Sequence, residues 1–303
     1  MRTITSDAAS SLGRFLVRDF RSMFGPAASA LADQLGSLAR MTIECVARSD
    51  ALYHNYEHTW LVTMAGRDIL HGLMMSRRIE SSDYLHLILA CLFHDIGYVR
   101  GILGGDTTEE FVAHEDGRRI RLARGASDAA LMACHVNRSK MFVRERLANI
   151  PGIDANRIAD AIEFTRFPPS PADRSATTDF VPRLVQAADF IGQLGDPMYA
   201  RKVNALFYEF EENGRNRQLG DSSPADLVDK YPEFFWNTVS TYVGDGMTYL
   251  NLTNSGRQWI ANLHHHVLCA EHALRMMGPQ LGPNKATRMA RQRSLSPTLS
   301  GAG

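Results

Sequence analysis

Leu85-His86-Leu87-Ile88-Leu89-Ala90-Cys91-Leu92-Phe93-His94-Asp95-Ile96-Gly97 is an unbroken apolar run that ends on a histidine, an aspartate and a glycine. It shows no period-two alternation, and with the polar start at Ser82 it reads as a buried helix from Ser82 to Asp95. The same helical period extends outward in both directions. Upstream, residues 9–48 give two amphipathic helices broken near Gly25-Pro26, and Tyr53 to Arg77 gives a long one. Downstream, Thr107 opens a helix, with Glu110 completing a capping box. Further helices fit 127–140, 155–166, 180–194, 196–213, 224–249 and 255–277. Strand-like alternation is almost absent, so the expected fold is all-α, a compact helical bundle.

Residues 1–8 read as a loose leader, and Phe167-Pro168-Pro169-Ser170-Pro171 and Asn213 to Pro224 as loops. From Gly278 the chain turns to Gly, Pro, Ser and Arg, which reads as a disordered tail made basic by Lys285, Arg288, Arg291 and Arg293. The organisation expected is N-terminal helices over 1–48, a catalytic domain over 49–277 and the tail over 278–303. Helices in 9–48 either cover the core or form a homodimer interface.

Composition narrows the function classes. The chain has 303 residues, 45% of them hydrophobic, with 33 Lys+Arg balanced by 33 Asp+Glu. That balance gives no global attraction to nucleic acid or to an anionic membrane. A phosphate-bearing ligand would have to be held by a local cluster of charge. The apolar run is too short to span a bilayer, and no basic-then-apolar leader of a signal peptide is present. Cys45, Cys91, Cys134 and Cys269 stand far apart, without a CxxC pair, and Cys91 and Cys134 read as buried free thiols. A cytoplasmic, reduced protein is expected.

Several polar residues sit where apolar ones are expected. Asp95 lies near a helix C-terminus, facing the negative end of the helix dipole beside an apolar run. Either a metal ion or an arginine would offset that cost. His94 shares a helical face with Leu87, Ala90 and Cys91. His54 and His58 are four apart, the spacing that puts two side chains on one face of a helix. Asp189 follows Val181 and Val185 at helical spacing, a second carboxylate at the edge of an apolar stripe. His114 and His135 each have apolar neighbours on one face, and Gly117 beyond His114 allows close backbone approach. His264, His265 and His266 form a run within the last helix, and His71, His86 and His272 have no evident partner.

Taken in order, the pieces are His58, His94-Asp95, His114, His135 and Asp189, with His94-Asp95 followed by Ile96-Gly97 and preceded by Tyr53-His54-Asn55-Tyr56-Glu57-His58. This set resembles the HD superfamily of metal-dependent phosphohydrolases, and the segment from Tyr53 is similar to the Y-H-N-x-x-H signature of class I cyclic nucleotide phosphodiesterases. The resemblance covers roughly residues 50–195. It implies an HD-domain, phosphodiesterase-like bundle and a first metal held by His58, His94, Asp95 and Asp189. It further implies that Asp95 bridges to a second metal with His114 and His135 as added ligands, and that His54 is the general acid. The reaction implied is hydrolysis of a phosphodiester, such as a cyclic nucleotide, by a hydroxide bridging the metals. Imidazole and carboxylate donors suit two divalent ions drawn from Mn, Fe, Mg, Zn or Ni.

The glutamine and hydrophobic clamp that grip the base in the eukaryotic phosphodiesterases have no firm match here. Trp236, Tyr242, Tyr249, Gln258 and Trp259 are the candidates, and Arg138, Lys140, Arg201 and Lys202 are candidates for steering phosphate. Three alternatives stand beside the phosphodiesterase: a nucleotidase acting on phosphomonoesters, a di-iron oxygenase of the same fold acting on a small polar substrate, and a non-catalytic nucleotide sensor, against which the intact ligand set argues. His54 favours hydrolysis, because an oxygenase has no evident use for a general acid there. The expected partner is a small nucleotide-like substrate, with neither nucleic acid nor membrane.

Overall fold

The computed structural model describes residues 2–168 and 178–277. The amphipathic periods of the sequence become α1 (Ile4–Phe24), α2 (Ser29–Val46), α3 (Tyr56–Ser76), α4 (Ser81–Phe93), α5 (His135–Leu147) and α6 (Ala155–Glu163). They continue as α7 (Val181–Leu194), α8 (Tyr199–Glu212), α9 (Arg215–Leu219), α10 (Pro224–Phe234), α11 (Ser240–Leu250) and α12 (Asn254–Met277). The fold is therefore an all-α bundle, as the helical period requires. The strands β1 (Glu110–Val112) and β2 (Arg119–Arg121) pair as a short antiparallel hairpin. Among the described residues, no helix is long and apolar enough to cross a membrane.

One buried cluster runs through the bundle, drawing on Leu12 and Leu16 of α1, Leu35 and Ile43 of α2, and Val62 and Ile69 of α3. Leu85 to Phe93 of α4 are buried without exception, which explains why the run carries no polar face. The α1–α2 pair covers one side of this core. Cys91 and Cys134 are buried free thiols.

Local chemistry shifts several boundaries. Residues 4–8 belong to α1, because Thr3 caps it by accepting from the Ser6 amide. Thr107 starts no helix. Its hydroxyl accepts from the Glu110 amide at 3.0 Å and its own amide donates to the Glu110 carbonyl at 2.9 Å, which closes a turn into β1. Phe111 and Ala113 then pack on Leu131 and Cys134 as a small second cluster. The segment from Asn213 to Pro224 contains α9, bracketed by Gly214 (φ 67°) and Gly220 (φ 69°). The span 224–249 holds two α-helices joined by a π-helical turn, Phe235–Val239, just after Pro232 inside α10. Of the proline-rich loop, Phe167 and Pro168 are described; the rest of it and the basic tail lie outside the described residues.

Two buried ionic networks tie the elements together. Arg138 is fully buried on α5 and donates to the carbonyls of Gly97 (2.7 Å), Val99 (3.0 Å) and Val112 (2.7 Å). It also forms a bidentate pair with Asp106, at 3.0 and 2.9 Å. It therefore clamps the turn after α4 and the hairpin onto α5 and is not a surface residue steering phosphate.

The second network is Asp19 of α1, which accepts from Arg67 (2.6 Å), His71 (3.1 Å) and Tyr84 (2.5 Å). Burial raises its pKa, but the bonds from His71, Arg67 and Tyr84 outweigh that and hold the carboxyl well below the ordinary range. Asp19→Asn is expected to destabilise the protein by about 2 kcal/mol at neutral pH, the scale of losing hydrogen bonds to a charged group. A carboxylate with a depressed folded pKa contributes stability above its unfolded value, about 3.9, and loses it as pH falls through the folded value. Urea unfolding should give a constant gap between wild type and variant above about pH 5, narrowing below about pH 4. A gap that widens with acid would contradict the assignment.

Candidate metal centre

Asn55 decides how α3 begins. Its side chain accepts from the amides of Glu57 (2.9 Å) and His58 (3.4 Å), so the helix starts at Tyr56 and His58 occupies its first turn, buried. His54 therefore precedes the helix and does not share a helical face with His58. The two rings still lie 5.6 Å apart, because the backbone amides of Tyr53 (2.7 Å) and His54 (3.2 Å) donate to the Glu209 carboxylate of α8.

On α4, the last helical residue is Phe93; His94 is the C-cap, and Asp95 leads into a 3₁₀ turn, Ile96–Tyr98. Gly97 in that turn has no room for a side chain: a Cβ would stand 2.0 Å from the His135 carbonyl oxygen. This close approach brings α5, with His135 at its start, against the His-Asp pair. Gly192 plays the same part on α7, where a Cβ would come within 2.7 Å of the Val62 backbone of α3. That contact sets Asp189 beside His58.

Four donor atoms converge. The Nε2 atoms of His58 and His94 are 3.3 Å apart. An Asp95 Oδ2 lies 3.4 Å from His58 and 3.1 Å from His94. Asp189 Oδ1 lies 3.4 Å from His58 and 3.6 Å from His94. Ligands bonded at about 2.1 Å to one ion are separated by about 3.0 Å at right angles and about 3.4 Å in a tetrahedron, so these separations suit a single small divalent cation. His58, His94 and Asp95 form the compact, fully buried group, with donor atoms all within 4.8 Å of one another; Asp189 joins through the imidazoles.

Three further observations fit a cation. Asp95 Oδ2 is buried and makes no hydrogen bond among the described residues, a cost that a coordinated ion removes. His94 Nδ1 donates to the Cys91 carbonyl at 2.8 Å, which fixes the tautomer and aims Nε2 at the site. Burial works against a charged His94, but Asp95 and Asp189 overcome it and raise its pKa to about 9. A cation competes directly with that proton, so metal uptake should release it. Asp95 itself is held ionised: burial raises its pKa, and His94, His54 and His58 pull it well below the usual range.

His135 reaches the rim of this group, its Nε2 lying 3.6 Å from Asp95 Oδ1. Its Nδ1 donates to the Met132 carbonyl at 2.6 Å, and burial lowers its pKa to about 4 against the pull of Asp95, keeping the ring neutral. His114 is placed elsewhere. It sits in the β1–β2 turn, 41% exposed, 3.3 Å from Asp116, with Gly117 (φ 85°) completing the turn. Gly117 serves the hairpin, so the structure gathers His58, His94, Asp95, Asp189 and His135 and leaves His114 out.

The centre opens into a cleft of about 730 Å³. His54 lines it, with its Nδ1 2.5 Å from Glu209 Oε2. Burial disfavours a charged His54, but the charge and hydrogen bond of Glu209, aided by Asp95 and Asp189, raise its pKa above the ordinary value. Tyr98 is stacked between His54 (centroids 4.7 Å) and His135 (4.4 Å). Phe167, Phe190 and Phe234 form an apolar wall, with centroids 5.9–6.5 Å apart.

Glu209 and Tyr98 were not picked out by the sequence reading. A carboxylate inside Phe207-Tyr208-Glu209-Phe210 was the available hint, of the same kind that marked Asp95. The aromatic candidates do not line the cleft: Trp259 donates to Asp68 at 2.9 Å, Trp236 is 53% exposed, and Tyr242 packs against Phe190 of the wall. Of the phosphate-steering candidates, Lys140 pairs with Glu163 at 2.6 Å and Lys202 with Asp196 at 2.6 Å, while Arg201 is exposed. His71 and His86 have structural partners, Asp19 for the first and the Asp154 amide at 2.7 Å for the second.

No curated protein and no solved structure matches the chain. Residues 9–273, from within α1 to near the end of α12, match the Npun_R2479-like family, and the chain belongs to that family.

Proposed function

We propose that this protein is a metal-dependent phosphohydrolase of the HD type, acting on a phosphodiester of a nucleotide-like molecule. The observation that carries the reading is the convergence of His58, His94, Asp95 and Asp189 in one cleft with the His54–Glu209 pair. The resemblance of His94-Asp95 and of Tyr53 to His58 to the HD and phosphodiesterase signatures supports it.

His58, His94, Asp95 and Asp189 would hold one divalent ion. His135 and the free side of Asp95 offer the beginnings of a second position, without help from His114. A divalent ion here supplies electrophilic stabilisation for charge on phosphoryl oxygens and makes water acidic enough to act near neutral pH. The chain's own residues do the rest. Glu209 fixes the His54 ring through Nδ1 and favours its protonated form, leaving Nε2 to protonate the leaving oxygen. Tyr98 stacks on His54 and limits its rotation. The phenylalanine wall excludes water and accepts a flat apolar group.

The test is elemental analysis of the purified protein, followed by a hydrolysis screen of cyclic nucleotides, cyclic dinucleotides and nucleoside phosphates with Mn²⁺, Mg²⁺ or Fe²⁺. At least one metal per chain with cleavage of a phosphodiester is the expected result. Cleavage of monoesters alone would make it a nucleotidase. Bound iron with no hydrolysis would shift the assignment to oxygen chemistry, and a chain that takes up no metal would end both readings.

A further inference from the structure

Among the described residues, three arginine or lysine side chains line the cleft, and two are already engaged. Arg166 pairs with Glu163 and donates to Asn137 at 2.7 Å. Lys230 pairs with Asp221 and donates to the Leu219 carbonyl at 2.6 Å. The third, Arg215, has neither a carboxylate nor a carbonyl partner among the described residues. Its guanidinium carbon instead lies over two rings, 4.7 Å from the Phe167 centroid and 4.9 Å from that of Phe210. Those rings cover the apolar faces of the group and offer its N–H edges no acceptor.

Arg215 is also held in place. It opens α9 directly after Gly214, and the next residue, Asn216, is buried and donates to the Phe207 carbonyl (2.9 Å) and to Glu211 (2.9 Å). Burial works against the charge of Arg215 and lowers its pKa, so the arrangement is costly until an anion arrives.

A second donor lies on the same cleft. Tyr98 is 2% exposed, lines the cavity, and its hydroxyl has no hydrogen-bond partner among the described residues. Buried tyrosine hydroxyls usually have one. Its ring is stacked between His54 and His135, which fixes where the hydroxyl stands on the cleft wall.

A planar cationic fork and a phenolic O–H that share a cavity and both lack acceptors form the donor set that recognises a tetrahedral oxyanion. We propose that the Arg215 guanidinium and the Tyr98 hydroxyl form an anion subsite of the cleft that receives the phosphoryl oxygens of the substrate. The substrate class rests on the phosphohydrolase reading above; the anion subsite rests on the cleft alone. The stacking of Tyr98 on His54 and on His135, itself 3.6 Å from Asp95, places the subsite against the metal centre and the proton donor. Phe167 then has two roles, as part of the apolar wall and as a platform for Arg215.

The experiment is calorimetric titration of the metal-loaded protein with inorganic phosphate, comparing wild type, Arg215→Gln, Arg215→Lys and Tyr98→Phe, with metal content and thermal unfolding measured on the same samples. Arg215→Gln should weaken phosphate binding by at least about tenfold, and Tyr98→Phe by about three- to tenfold. Arg215→Lys should recover part of the loss. Metal content should stay at the wild-type value and the variants should stay folded, since the Arg215 side chain makes no hydrogen bond among the described residues and only its stacking on Phe167 and Phe210 is lost. Phosphate affinity unchanged in Arg215→Gln would overturn the proposal, as would a wild type that binds no phosphate. The two readings fail separately. A protein that binds phosphate through Arg215 yet hydrolyses no phosphoester keeps the subsite and loses the hydrolase. One that hydrolyses a phosphoester while Arg215→Gln changes neither KM nor phosphate affinity keeps the hydrolase and loses the subsite.

Discussion

Asp95→Ala is expected to abolish metal retention and turnover together. Asp95 contributes the buried oxygen that lies 3.1 and 3.4 Å from the two imidazole nitrogens and has no hydrogen bond of its own. Removing residues that merely orient a metal ligand costs about 10–100-fold in affinity, so deleting a ligand should cost at least about 100-fold. Metal content after dialysis should fall to background, and hydrolysis with it. The decisive control is thermal unfolding with and without a chelator. Wild type should melt at a lower temperature once its metal is stripped, because a ligand bound only by the folded state stabilises it by mass action. The variant should show no such difference. An Asp95→Ala protein that keeps its full metal complement would remove Asp95 from the centre, whatever happens to the rate.

The His-Asp pair was legible in the sequence because its physics is local. A carboxylate that ends a fully apolar helix has few ways to be tolerated, and the run from Leu85 to Phe93 announces its own burial. Asp189 carried the same mark more faintly, at the edge of the stripe through Val181 and Val185. Asn55 stood out only as part of the Tyr53 to His58 signature, and its work as the cap that starts α3 shows only in the folded chain.

The residues that escaped notice depend on contacts distant in sequence. Glu209 matters because it reaches His54 across the bundle, and nothing in the helix around it names that partner. Arg215 stands out because no acid faces it among the described residues, and a missing partner cannot be read from neighbours in the chain. On a helix, apolar neighbours at spacing three and four would turn His114 inward. In a three-residue strand leading to a glycine turn, those neighbours point elsewhere and the ring is left at the surface beside Asp116. The helix expected from Thr107 is a turn and a hairpin instead, and the position of His114 follows from that difference in period.

His54→Ala is expected to keep the metal and slow the reaction by about 10²–10⁴-fold with a natural nucleotide, the usual worth of a positioned proton donor. The loss should depend on the leaving group. An alkoxide needs the proton badly, whereas an activated aryl oxide leaves without it, so the variant should cleave an aryl phosphodiester at a rate much closer to wild type. Equal losses on both substrates would mean that His54 is not the acid. The pH profile gives an independent check. His54 must be protonated to act, and Glu209 favours that form through its charge and hydrogen bond against the burial that opposes it; Asp95 and Asp189 act the same way, but a cation they hold would offset their charges. Activity limited by this step should therefore persist above the ordinary histidine value of about 6.5 and fall as pH rises through the elevated one. Glu209→Gln removes the nearest of those charges while keeping a polar side chain in the same place. Its alkaline limb should move to lower pH with the metal content unchanged, a shift that loss of packing alone would not produce.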